Sequence, residues 1–232
     1  QLDRLRDGHA RTAGTVRITT GEHVADSVLI PRLSALQREC PDIKVELVVD
    51  YGLTDIVAAR FDAGVRVGDQ VERDMIAVRI GPDLRMAVVG APGYLATRPR
   101  PRRPQDLALH RCIALRSPSH GGVYPWEFEK RGRTLKVNID GGWIVNTLAL
   151  RVSAALQGCG LAYVPEEHVA AYLIDGRLER VLGDWCPPFP GYHLYYPSRK
   201  FQSPAFVRVV EALKWREEPP RVRGAKAAAR AR

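Results

Sequence analysis

The sequence predicts an α/β fold of two Rossmann-like lobes with a cleft between them. Three observations carry this. Short alternating β-runs hand over repeatedly to stretches with helical apolar spacing, polar strand-to-helix corners recur in both halves, and the 232 residues are 45% hydrophobic. That much apolar content fills the cores of one large domain or of two lobes.

The first corner organises the rest. In Val16-Arg17-Ile18-Thr19-Thr20 the apolar side chains alternate and β-branched residues dominate, the pattern of a half-buried strand. From His23 the period changes, because Ala25, Leu29, Leu33 and Leu36 form a stripe along one helical face. Thr19, Thr20 and Gly21 therefore sit where backbone N–H groups at a helix start attract a carboxylate, carbonyl or phosphate. Thr20 equally fits a plain helix cap.

A second strand follows Pro41-Asp42, with Ile43, Val45, Leu47 and Val49 alternating. Asp50-Tyr51-Gly52-Leu53-Thr54 makes the second corner, residues 53–60 read as a short helix, and FDAGVRVG (61–68) returns as a third strand. This βαβαβ series needs right-handed crossovers and a largely parallel sheet. Residues 75–80 and 84–91 are two further β-runs, followed by a short helix around 94–96. TRPRPRRPQDL (97–107) mixes arginines with prolines and reads as a solvated connector rather than a nucleic-acid arm, since proline fixes extended backbone and removes donors. Residues 110–116 form a strand and 126–139 a hairpin centred on Lys130-Arg131-Gly132-Arg133.

The third corner repeats the first. Residues 142–145 are a strand, Asn146-Thr147 a capping pair, and Leu148, Val152, Ala155 and Leu156 a helical stripe that stops at Gly158 and Gly160. Residues 161–164 are strand again, a helix starts at Pro165-Glu166-Glu167, residues 192–196 are strand, and Phe206, Val209, Val210 and Leu213 face one side of a final helix. Ligands in open α/β sheets bind beyond the C-terminal strand ends, where Thr20, residues 51–54 and Asn146-Thr147 converge.

The net charge is +9, of which +4 lies in the last seventeen residues, where six Arg or Lys stand against two Glu. That segment, 216–232, reads as a disordered basic tail. The remaining +5 leaves no single basic face for a nucleic-acid groove. Cys40, Cys112, Cys159 and Cys186 are far apart with no CxxC pair, so reduced thiols in a cytoplasmic protein are expected. No apolar run approaches the roughly 20 residues of a membrane span, so no membrane partner is expected, and QLDRLRDGHARTAG is unlike a secretory signal.

Among single residues, Arg66 at the end of FDAGVRVG fits a bidentate contact to an anionic ligand, or a salt bridge at the sheet edge. His23 fits a ligand donor or a satisfied helix-start histidine. SPSHGGVYPW (117–126) fits a flap over the cleft or a surface loop, and Tyr163 and Pro165 fit the second wall or the core. Cys159 has no neighbour that would activate its thiol. Asp62, Glu166, Glu167, His110 and His168 form no catalytic motif, and no cofactor or metal site is indicated.

Five phrases in this order resemble the effector-binding domain of LysR-type transcriptional regulators, which has a type 2 periplasmic-binding-protein-like fold. They are IPRLSALQRECPDIKVELVV, FDAGVRVG, VVGAPGYLATRPRPRRPQDLALHRCIALR, LQGCGLAYVPEEHV and GRLERVLGDWCPPFPGYHLYYPSR. The resemblance implies a small-molecule effector held by Thr19, Thr20, Gly21, Tyr51, Gly52, Thr54, Val145, Asn146 and Thr147; the residue readings add His23 and Arg66 to this set and suit an anionic or aromatic molecule. It implies lobe I over 15–90 plus 195–215, lobe II over 91–194, and hinges near Val89-Gly90-Ala91 and Tyr192-His193. It further implies a homodimer or tetramer in which the helices at 24–38 and 147–158 pair. Residues 1–14 look like the end of the family's linker helix, with promoter DNA reached only through an N-terminal domain that the sequence lacks. A free-standing solute receptor of a transporter and an enzyme on the same scaffold are the alternatives.

Overall fold

The computed structural model describes residues 12–50, 55–68, 75–116, 122–198 and 202–216. The expectations for the linker helix at 1–11, for the second corner at Tyr51, Gly52 and Thr54, and for the tail beyond 216 lie outside the described residues.

In chain order the first half contains β1 (Gly14–Thr20), α1 (Glu22–Val24), a π-turn (Ala25–Leu29), α2 (Ile30–Glu39), β2 (Ile43–Val49), β3 (Ala63–Val67), β4 (Met75–Arg79), β5 (Met86–Gly90) and α3 (Pro92–Leu95). The second half follows with a 3₁₀ turn (Pro104–Leu109), β6 (Cys112–Leu115), β7 (Trp126–Lys130), β8 (Arg133–Val137), β9 (Trp143–Val145), α4 (Leu148–Leu156) and β10 (Leu161–Pro165). It ends with α5 (Glu166–Ile174), β11 (Glu179–Val181), a 3₁₀ turn (Gly183–Trp185), β12 (Tyr192–Pro197) and α6 (Pro204–Leu213).

Two five-stranded sheets divide these elements, ordered β2-β1-β3-β12-β4 and β11-β5-β10-β6-β9. In the first, β1 lies parallel to both β2 and β3, while β12 runs antiparallel between β3 and β4. Val16, Ile18, Leu29, Leu33, Phe206 and Val209 pack α2 and α6 onto this sheet. The second sheet is covered on one face by α4 and α5, through Leu148, Val152 and Val169. Trp126 and Phe128 of the β7–β8 hairpin belong to a separate core with Val88 and Leu161. The hairpin closes through Arg131 and Gly132, both at positive φ (54° and 76°), as a two-residue primed turn requires.

The first helix holds its stripe by leaving the α period. Steps of four residues drift about 40° each on an ideal helix, so Ala25, Leu29 and Leu33 would spiral away from the sheet. The π-turn over Ala25–Leu29 absorbs the drift, and all three side chains, with Leu36, are buried. Its cause is local. Pro31 has no N–H to give the preceding turn, and the Ser27 hydroxyl donates to the His23 carbonyl at 2.7 Å.

Two expectations are corrected and a third is sharpened. Residues 55–60 form one capped turn and not a helix: the Asp55 carboxylate caps it by accepting from the N–H groups of Val57 and Ala58, and Arg60 ends it left-handed at φ 57°. The lobe boundary lies before β5, which pairs with β10 and β11, and all of β12 belongs to the first sheet. The chain thus crosses between lobes near residues 80–85 and 189–191. Where the crossings pass, Leu84 and Phe189 exchange both backbone hydrogen bonds at 2.9 Å. An added Cβ at Gly191 would sit 1.9 Å from the Pro82 carbonyl oxygen. The proline-arginine segment is solvated as expected, with Arg100, Arg102 and Arg103 exposed, but it is also anchored: Pro104 and Leu107 are buried, His110 Nε2 lies 3.0 Å from the Pro99 carbonyl and Arg100 pairs with Glu179 at 2.6 Å.

Among the described residues no helix is long and apolar enough to cross a membrane, and no group of three His, Cys, Asp or Glu is placed to hold a metal ion.

Candidate functional site

A cavity of about 240 Å³ lies between the two lobes, and its position follows from the strand directions. β1, β2 and β3 are mutually parallel, so their C-terminal ends emerge together and deliver Gly21, Asp50 and Val67 to the first wall. In the second lobe β6, β9 and β10 are parallel and deliver Leu115, Leu148 and Pro165 to the opposite wall. Both lobes obey the rule that parallel sheets open their sites beyond the carboxyl ends of the strands.

The walls are largely apolar and aromatic. Trp126 and Tyr163 stack at 5.5 Å between centroids and 25° between planes, and the Tyr163 hydroxyl donates to the Glu127 carbonyl. Burial raises the Tyr163 and Tyr192 phenols above their ordinary pKa, so both stay neutral. Each lobe also contributes one buried guanidinium. Arg66 on β3 is 7% exposed and donates Nη1 to the Val65 carbonyl at 2.7 Å. Arg151 on α4 is 8% exposed and donates Nη1 to the Tyr163 carbonyl at 2.7 Å. These anchors hold two cations in the lining against the single carboxylate of Asp50 among the described residues.

His23 joins the walls from the helix start. Its Nδ1 lies 3.2 Å from the Tyr192 hydroxyl and its ring meets His168 of α5 at 6.0 Å. Burial first, then the neighbouring His168, pushes its pKa down to about 4, so the imidazole is neutral near pH 7. Beside it, the Glu22 carboxylate accepts from the Leu148 backbone N–H at 2.8 Å, joining α1 of one lobe to the first residue of α4 in the other.

Of the sequence-selected residues, Gly21, His23 and Arg66 line the cavity. Thr19 and Thr20 are fully buried behind it, and the Thr20 hydroxyl donates to the Gly21 carbonyl at 3.3 Å instead of facing a ligand. Gly21, with no side chain to offer, is the N-cap of α1. Thr147 caps α4, its hydroxyl accepting from Leu150 N–H at 3.2 Å, while Val145 is half-buried and Asn146 exposed, with none of the three in the lining. Tyr163 and Pro165 do form the second wall, and Tyr124 to Trp126 of the expected flap reach the cavity.

Arg151 was the main omission. It falls three residues after Leu148 on the apolar face of α4, and a charge on a buried stripe is the legible signal of a functional position. Tyr192 and Phe189 belong to the returning crossover, which no local pattern marks as a wall.

Two α/β lobes joined by a double crossover, with strand ends and a cation from each lobe facing one cavity, define a two-lobed fold of the type 2 periplasmic-binding-protein-like class. Residues 9–216 match the LysR substrate binding domain, and the chain belongs to that family. It is 54% identical over 215 residues to a Pseudomonas aeruginosa protein named as a transcriptional regulator, covering 93% of this chain and 70% of that protein. With the HTH-type transcriptional regulator PgrR of Escherichia coli the identity is 42% over 212 residues, covering 91% and 71%. These relatives are named regulators, not enzymes. The fold matches the full-length Vibrio cholerae virulence activator AphB with a TM-score of 0.75 at 24% identity, covering 88% of this chain and 69% of AphB. Against the AphB regulatory domain of Vibrio vulnificus the TM-score is 0.67 at 24% identity, covering 87% of this chain and 98% of that domain.

Proposed function

We propose that this domain senses a small effector carrying one anionic group on an apolar or aromatic body, and that occupancy of the interlobe cavity shifts the geometry of an assembled transcriptional regulator. The observation that carries the reading is the presence of buried Arg66 and Arg151, one from each lobe, in largely apolar and aromatic walls that hold the single carboxylate of Asp50 among the described residues. An anion contacted by both would favour one lobe arrangement over another, which is the differential affinity that a ligand-driven switch requires. A cavity of about 240 Å³ is below the usual range for drug-sized ligands and suits a small metabolite.

Assembly is supported by exposed apolar side chains on the helices expected to pair. Ile30 on α2 is 51% exposed and Leu150 on α4 is 50% exposed. A homodimer would bury both, and operator DNA would be read by another part of the regulator.

A thermal-shift screen of small carboxylates, aromatics and quinones tests the reading. A ligand at a hundred times its Kd adds about 2.7 kcal/mol, a rise of roughly 5–10 °C for a domain of this size. A carboxylate hit abolished by Arg66→Gln and Arg151→Gln supports the site. Hits restricted to neutral compounds, or binding indifferent to both substitutions, would rule out the assigned ligand class.

A further inference from the structure

We propose that Glu22 is an interlobe latch that holds the cavity closed in the absence of effector. The contact is direct and long-range, because the Glu22 Oε2 atom accepts from the Leu148 N–H at 2.8 Å across 126 residues of sequence. Its two ends stand in different sheets' lobes. Glu22 opens α1 beyond β1, and Leu148 opens α4 beyond β9. Gly21, beside Glu22, and Leu148 itself both line the cavity, so the hydrogen bond spans the gap at the wall of the site.

The chemistry favours this acceptor. Thr147 already satisfies the third amide of α4 by accepting from Leu150 N–H, which leaves the first amide to a partner from outside the helix. A carboxylate at a helix start gains from the helix dipole as well as from the hydrogen bond, and charge-assisted bonds are the stronger ones. His23 follows on the same turn and meets His168 in the first turn of α5, so two adjacent residues of lobe I engage the first turns of two lobe II helices. The helix start that was expected to receive the effector's anion therefore holds the protein's own. Effector access depends on how often this contact opens, and in that consequence the latch rests on the effector-sensing reading.

The contact is testable with no effector present, by residue-resolved amide hydrogen exchange and small-angle scattering on the whole chain. In Glu22→Ala the Leu148 amide exchanges about ten- to a hundredfold faster, Leu150 keeps its rate, and the radius of gyration rises. Glu22→Gln gives smaller changes, since a neutral amide oxygen still accepts. Leu148→Pro removes the donor at the one helical position that tolerates proline, and the extended backbone of Thr147 (φ −128°, ψ 156°) suits a following proline. In that background Glu22→Ala adds no further expansion. Unchanged Leu148 exchange, parallel acceleration of Leu148 and Leu150, or an unchanged radius in Glu22→Ala would each overturn the latch. A null latch result leaves the sensing reading intact, and a failed ligand search leaves the latch intact.

Discussion

His23 Nδ1 and the Tyr192 hydroxyl lie 3.2 Å apart, tying the start of the first helix to the returning crossover strand. The pair holds only if the imidazole is buried uncharged, since His168 faces the same ring and Asp26 is the smaller, opposing influence. A folded-state pKa of about 4 against 6.5 means that the unfolded chain takes up a proton first as pH falls. Stability contributed by His23 is therefore complete above pH 6.5 and is lost as pH drops towards 4. The loss is up to ~3 kcal/mol. Chemical denaturation of the parent and His23→Gln between pH 7 and 4 checks it, with a visibly flatter profile expected for the variant.

Thr147 and Arg66 separate structural from ligand-contacting roles. Thr147→Ala removes the cap of α4, costs about 1 kcal/mol in urea denaturation, and leaves ligand affinity unchanged. Arg66→Gln weakens the best carboxylate from the screen about ten- to a hundredfold by calorimetry. The reverse pattern would return the site to the third corner.

Gly191→Ala forces a methyl group against the Pro82 carbonyl at the double crossover. Backbone cannot yield as a side-chain tip does, so a loss of about 1–3 kcal/mol is expected. Gly132→Ala meets open space but keeps a positive φ, and costs about 1 kcal/mol. Equal midpoints for the two variants would contradict the tight crossing.

Thiol reactivity should divide the cysteines. Burial pushes Cys112 up to about 12 and Cys186 up to about 11, so both resist alkylation in the folded protein. Mass mapping after brief iodoacetamide treatment should find label on the partly exposed Cys40 and Cys159 first.

The two-lobed α/β fold was legible because each lobe repeats strand, polar corner and amphipathic helix, and the apolar stripes of α2, α4 and α6 are the faces found buried. The site was legible only in part. Gly21, His23 and Arg66 sit at strand ends, where local pattern marks a rim. Thr20 misled because a hydroxyl at a corner has the same sequence signature whether it faces ligand or its own backbone. Glu22 meets its partner 126 residues further along, and no local spacing encodes that contact between lobes, whereas Arg151 was legible as a charge on the apolar stripe of α4. The placement of β5 was missed because an apolar strand fits either sheet until its neighbours are known.

The reciprocal hydrogen bonds between Leu84 and Phe189 give the second lobe a topological independence. Its inbound and outbound segments touch, so residues 85–188 form a cassette whose ends already meet. Such a piece could be excised, or rejoined by a short linker as a circular permutant, without stretching either sheet.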